Sequence, residues 1–222
     1  MSQEFADRIV AARSPRKETK SLIYQHALRL FATRGYARAS LREIAEAVGI
    51  EAASLYTHIT SKKALLYDLM EFGNRDLLER LNKAAATAPD HALARLYALT
   101  RENVISHCRH QHQTMVVFNE IRELDPDQRT KIIAIRTEIE DLFRAELTRG
   151  MTDGTIRTID PSITLFGILA LTRGAAFWYR ENGPRTPEQI GDIYADQVTR
   201  SVATTTELTR LGDTPISPTA FA

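Results

Sequence analysis

SLREIAEAVGIEAASLYTHITSKKALL, Ser40 to Leu66, carries the most specific local signals in the chain. Ser40 followed by Glu43 has the form of a capping box, in which the hydroxyl takes the amide of the third helical residue and the carboxylate reaches back to the cap's own amide. A helix therefore starts at Leu41. Leu41, Ile44, Ala45 and Val48 recur at helical spacing, and Gly49 follows where a left-handed residue closes the helix after about two turns. Only Ile50 and Glu51 separate that glycine from a second short segment, AASLYTHI (Ala52 to Ile59). Its Leu55 and Ile59 are placed to pack inward, leaving Ser54, Tyr56, Thr57 and His58 outside. Two short helices joined at a sharp glycine-containing turn make a helix-turn-helix.

The second helix of such a unit enters the major groove with its N-terminal residues toward the base edges. Ala52, Ala53 and Ser54 are small enough for close backbone approach, and Tyr56, Thr57 and His58 carry groups that reach phosphates or bases. Thr60 and Ser61 are caps for a further helix whose first residues are Lys62 and Lys63, and ammonium groups beside free backbone amides make a phosphate clamp. With Arg42 on the preceding helix, these residues form the expected DNA-binding set.

Charge supports the same assignment. The chain of 222 residues has a net charge of only +1, but the excess is unevenly placed. Arg13 to Lys63 holds ten Lys and Arg against four Asp and Glu, whereas Ala64 to Ala222 holds eighteen against twenty-two. The basic part is the part with the helix-turn-helix, which favours phosphate binding over an ordinary solvated surface.

A hydrophobic content of 43% is enough for a sizeable core. Cys108 is the single cysteine, so no intrachain disulfide framework exists, as expected of a protein kept in a reducing cytoplasm. No early apolar run follows a basic start and no apolar segment reaches about 18 uninterrupted residues, so neither export nor membrane spanning is expected. Enzyme motifs are lacking: neither a G-x-S-x-G elbow nor a glycine-rich phosphate loop occurs. His107, Cys108, His110 and His112 lie close in sequence, but the two pairs at helical spacing point in different directions and no CxxC or HExxH accompanies them. They are read as structural, with no metal and no cofactor expected.

Strand signals are scarce and the whole chain reads as all-α. Residues 1–18 form a polar basic arm, expected to be disordered; residues 19–66 form the helix-turn-helix domain; 67–212 a helical ligand-binding and dimerisation domain; and 213–222 a flexible tail. A helix from Lys62 to about Ala86 is long enough to leave the DNA-binding domain. Beyond Pro89 come further helices, including one from Pro126 to Gly150. MVVF, Met115 to Phe118, is short enough to be a strand or a buried helical face, and its surroundings are helical. Pro161 to Arg180 is apolar almost throughout, so it needs burial on every side. In a domain this small, one of those sides is a second subunit. Gly167 and Gly174 share one face of that helix, and Phe177, with Tyr194 and Val198 of an amphipathic helix from Glu188 to Leu211, completes the expected isologous contact.

A ligand site in a helical bundle lies between facing helices and joins apolar walls to a few polar groups. The residues expected to bound it are Tyr97, Arg101, Val104, Val117, Ile139, Phe143, Phe166, Leu169, Arg173 and Trp178. Arg173, a permanent charge in an apolar helix, is costly to bury without a partner. It serves either a salt bridge or an anionic ligand.

LFATRGY (Leu30 to Tyr36), SLREIAEAVGI (Ser40 to Ile50), SLY (Ser54 to Tyr56) and SKKALL (Ser61 to Leu66) together resemble the DNA-binding domain of the TetR family of one-component repressors. Two positions depart from that pattern: Glu51 stands where the family usually has a small hydroxyl cap, and Ile59 where it usually has Phe. WYRENGP (Trp178 to Pro184) and TPEQIGDIY (Thr186 to Tyr194) resemble the ending of the KstR-type branch, whose members answer acyl-CoA thioesters. The resemblance implies a cytoplasmic homodimer that binds a palindromic operator and is released by a small effector of acyl-CoA, aromatic-acid or fatty-acid type. It also implies that a basic arm ahead of the first helix can reach DNA. The alternative in the same class is a helix-turn-helix factor that works without a ligand.

Overall fold

The computed structural model describes residues 15–216, 220 and 221. Among them the elements are helices, with a single isolated antiparallel bridge between Ile156 and Ala203. In chain order they are α1 (Pro15–Arg34), α2 (Leu41–Val48), α3 (Ala52–Leu55), α4 (Lys62–Thr87), α5 (Ala92–Arg109), α6 (Gln111–Asn119), a 3-10 turn (Ile121–Glu123), α7 (Pro126–Asp153), α8 (Pro161–Trp178), α9 (Pro187–Val202) and α10 (Thr205–Leu211). MVVF is helical, within α6. Residues 1–14 of the expected arm lie outside the described residues. The last four of its eighteen belong instead to α1, which opens on Pro15, a residue suited to a first turn whose amides need no helical partner.

The chain divides into two compact units, and the division is not the one expected from sequence. The first holds the residues up to Arg75 together with His110 to Ala134. Its core joins Ile23, Leu28 and Phe31 of α1, Ile44 of α2, Leu55 of α3 and Leu65, Leu66 and Leu69 of α4 to Val116, Val117, Leu124 and Ile132. The helix-turn-helix thus shares its core with a segment about sixty residues further on, because α1 buries part of its apolar stripe against α6. Gln113 of α6 is buried and donates from Nε2 to the Leu69 carbonyl at 2.7 Å.

The second unit, Asp76 to Arg109 and Ile135 onward, is built on α5. Most of this helix is buried, and α8 and α9 pack on it. Gly191 lets α9 come close, since a Cβ there would lie 3.0 Å from the Arg101 carbonyl oxygen and from Ile105. Asn103 donates to the Thr172 hydroxyl at 2.8 Å, tying α5 to α8 in the interior. Asp160 caps α8 through the amides of Ser162 and Ile163, and Thr186 with Gln189 forms a capping box on α9.

Two expectations fail here. The long last helix is broken: α9 stops at Val202, where the Arg157 amide takes the Val202 carbonyl, the Thr204 amide donates to Thr155, and α10 begins afresh. The tail from residue 213 is tied down as far as Ile216. Arg200 donates to the carbonyls of Gly212 and Thr214, Asp196 accepts from the Ile216 amide, and the Ile216 side chain is buried beside Tyr97.

Candidate nucleic-acid interface

The helix-turn-helix forms as the residues dictate. The Ser40 hydroxyl accepts from the Glu43 amide at 3.1 Å and the Glu43 carboxylate accepts from the Ser40 amide at 2.8 Å, closing the capping box. These hydrogen bonds, with Arg34 alongside, hold the Glu43 carboxyl below its usual value. Gly49 takes φ +77° and its amide reaches the carbonyls of Ala45 and Glu46, ending α2 in the left-handed conformation that a side chain resists.

The segment after it is shorter than expected. Only Ala52–Leu55 is α-helical, and residues 56–58 continue as tight turns with the Thr57 amide on Ser54 and the His58 amide on Leu55. Two local features accompany the short helix. Glu51 occupies the cap position without a side-chain cap bond, and the Thr57 hydroxyl competes for the Ser54 carbonyl at 2.8 Å. The facing of the segment is as expected: Leu55 and Ile59 are buried, while Ala52, Ala53, Ser54, Tyr56 and Thr57 are exposed. Tyr56, at 60% exposed, is the largest side chain presented there. His58 is half-buried rather than free. Arg42 stands out on α2, paired with Glu46 at 3.1 Å.

The two lysines are less available than their position suggested. Lys62 Nζ donates to the Tyr36 carbonyl at 2.5 Å and lies 4.2 Å from the centre of the Tyr36 ring. Burial lowers its pKa, against the pull of Glu123, Glu120 and Glu43. Its first task is therefore in the fold, holding the turn after α1 to the start of α4. Lys63 pairs with Asp125 at 2.7 Å, and Asp125, with Glu123 near, raises its pKa. Glu120 completes this contact by accepting the Tyr36 amide at 3.1 Å. Glu120, Glu123 and Asp125 carry no signal in the sequence, because their partners lie 60 residues or more away.

The expected ligand-lining residues do not form one wall. Val117 belongs to the core of the first unit. In the second unit Ile139 and Phe143 share one buried cluster, Val104 another and Tyr97 a third. The Tyr97 hydroxyl shares its proton between Asp192 and the Ile216 carbonyl, both at 3.1 Å, and Arg101 pairs with Asp192 at 2.5 Å. Leu169 is half-buried, whereas Phe166 and Trp178 are about half exposed on α8, at 53% and 48%. Arg173 is half-buried near Arg136, whose guanidinium is pushed down to about 10, first by burial and then by the Arg173 charge. Arg136 was missed in the sequence because it reads as one more polar residue of an amphipathic helix. A separate open groove of about 750 Å³ runs along α7 by Arg144, Ala145, Thr148 and Thr152.

The α8 helix is not buried all round. Ile163, Phe166, Gly167, Ala170, Leu171, Phe177 and Trp178 lie exposed at three- and four-residue spacing on one side, with Gly174 half-buried among them. Trp178 stacks on Tyr194 of α9 with ring centres 6.4 Å apart. Val198 departs from the expected interface set, since it is buried in the core of its own subunit. Cys108 is buried, which pushes its thiol up to about 12. Among the described residues no three His, Cys, Asp or Glu side chains gather as a metal site would require, and no helix is long and apolar enough to cross a membrane.

Comparison with known proteins agrees with this arrangement. Residues 23–69 match the tetR family of bacterial regulatory proteins, and residues 89–202, half of the chain, match the tetracyclin repressor-like C-terminal domain. The HTH-type transcriptional repressor KstR2 of Rhodococcus jostii is 27% identical over 176 residues, covering 78% of this chain and 86% of that protein. The structure of the ketosteroid transcriptional regulator KstR2 of Mycobacterium tuberculosis superposes with a TM-score of 0.78 at 25% identity, over 88% of this chain and 98% of that one. AibR, solved in complex with isovaleryl coenzyme A and operator DNA, gives a TM-score of 0.73 at 27% identity, over 81% of this chain and 97% of that one. These relatives are regulators and not enzymes. The capped α2, the left-handed Gly49 turn and the exposed face of α3, set in a chain matched by both domain models, make this protein a member of the TetR family of transcriptional regulators.

Proposed function

We propose that the protein is a homodimeric, cytoplasmic repressor that binds a near-palindromic operator through Ser54, Tyr56 and Thr57 and leaves it when a small effector occupies the second unit. The observation that carries this reading is the face of residues 52–57, polar and exposed over the buried Leu55 and Ile59. A dimer is supported by the exposed apolar side of α8, where Ile163 is 70% exposed, since a contiguous apolar patch of this kind is rare on a monomer. Two copies facing through α8 and α9 present two recognition segments to successive major grooves.

An effector with an apolar body and an anionic end, such as an acyl-CoA thioester, is supported by the neighbouring Arg136 and Arg173 and by the isovaleryl coenzyme A complex of AibR. To release DNA, the effector must favour a conformation whose recognition segments are mis-spaced, because equal affinity for both states shifts nothing. Operator affinity is to be measured with and without a series of acyl-CoA thioesters, on the parent and on Arg173→Ala. Release by a thioester that the variant no longer answers is the expected result; an unchanged response in the variant assigns Arg173 to structure. The burial of Tyr97, Val104 and Phe143 in three separate clusters supports a second reading, a factor that works without a ligand. Its signature is operator binding indifferent to every thioester tested.

A further inference from the structure

Three acidic side chains of the first unit, all from the stretch between α6 and α7, converge on the lysines beside the recognition segment and on the turn that holds them. Glu120 Oε1 accepts the Tyr36 amide at 3.1 Å, and Tyr36 in turn gives its carbonyl to Lys62. Glu123 stands close enough to act on Tyr36, Lys62 and Lys63. Asp125 Oδ1 holds Lys63 Nζ at 2.7 Å. Three carboxylates thus surround the cations that begin α4, a helix start whose dipole favours a phosphate and whose Ala64 amide is capped by the Ser61 hydroxyl at 3.0 Å.

The Lys63 pair is exposed, 43% on the lysine side and 58% on the aspartate side, so water and salt compete with it and it contributes little to stability. An ammonium held by a carboxylate is nevertheless not free for a phosphate, and the carboxylate it leaves behind repels the DNA backbone. We infer that Asp125 sets the protein's affinity for DNA by competing with the operator's phosphates for Lys63. This inference rests on the reading of Lys63 as a DNA contact. Asp125 lies in His110 to Ala134, the stretch that the chain inserts into the DNA-binding unit between two passages of the other unit. Parting Asp125 from Lys63 would therefore add one cation per subunit to those offered to DNA.

The test is a cycle of full-length proteins, the parent, Asp125→Asn, Lys63→Ala and the double variant, each titrated against a selected operator at low and moderate salt. Asn suits position 125, because it retains the amide that donates to Gln128 ahead of α7 and can still cap that helix. Asp125→Asn is expected to tighten binding roughly two- to tenfold at low salt, from an exposed ion pair in each of two subunits. The gain is expected to shrink as salt rises and to be largely lost in the Lys63→Ala background. An equal gain in both backgrounds would show mere removal of a negative charge and overturn the competition. Weaker binding by Asp125→Asn also overturns it, because Asp125 then positions Lys63 for the phosphate. If Lys63→Ala binds as the parent does, the lysine is no DNA contact and the premise fails, whatever Asp125 does. Thermal midpoints of the four proteins identify any variant whose loss is one of folding.

Discussion

The side chain of Gln113 occupies the space that a Cβ on Gly73 would need: its Nε2 lies 1.9 Å and its Cγ 2.7 Å from that position. A glycine in the middle of a 26-residue helix costs about 1 kcal/mol against alanine, and here it admits a buried amide that bonds the Leu69 carbonyl. Gly73→Ala is therefore expected to destabilise the protein by about 1–3 kcal/mol despite its better helix propensity, because the whole glutamine side chain must leave. Gln113→Ala added to it should recover part of the loss, which a thermal-unfolding cycle measures.

Lys62 and Lys63 are expected to separate. Lys62→Ala removes the hydrogen bond to Tyr36 and the cation over its ring, so it should lower stability by about 1 kcal/mol in addition to any effect on DNA. Lys63→Ala should leave the unfolding midpoint nearly unchanged and weaken operator binding. Denaturant titration of both variants beside binding isotherms distinguishes the two roles.

The capping box carries a pH dependence whose sign is fixed. Glu43 is held below its ordinary value of 4.5 by the Ser40 hydrogen bonds, so as pH falls the unfolded chain takes up this proton before the folded one does. The contribution is complete above 4.5 and is lost as pH drops through the lowered value. Glu43→Gln keeps a residue able to close the box and removes the titration. Its stability should fall less than the parent's between about pH 5 and pH 3, as followed by denaturant midpoints across that range.

Gly174 offers a clean probe of self-association. A Cβ at that position would meet nothing within 4 Å in its own subunit. Gly174→Leu should therefore leave helix content unchanged while shifting sedimentation from dimer toward monomer. An unchanged dimer would move the interface off this face of α8.

Local features were legible in the sequence and distant partnerships were not. Ser40, Glu43 and Gly49 act through neighbours within a few residues, so their roles follow from spacing alone. Leu55 and Ile59 were assigned inward by helical period and are buried. By contrast, the sharing of the first core with α6 depends on Val116 and Val117 meeting α1, and nothing local in MVVF announces that partner. The tail read as frayed because Pro215 and its polar neighbours have no helical pattern. As far as Ile216 it is held by Asp196 and Arg200, side chains that look solvated in sequence. Lys62 was legible as a cation at a helix start, but its burial against Tyr36 depends on a turn 26 residues earlier.

On the proposed function, residues 52–63 read duplex DNA as one half of a dimeric clamp. Selection of binding sequences from a random duplex pool by the full-length protein tests it most directly, followed by affinity measurement on the parent and on Tyr56→Ala. A dimeric clamp is expected to select a near-palindrome whose half-sites are centred about one helical turn, roughly 34 Å, or slightly more apart. Bound protein is expected at two chains per site, with clearly weaker binding by the Tyr56 variant. No enriched sequence, or an enriched site with no symmetry that Tyr56→Ala binds as the parent does, would contradict it.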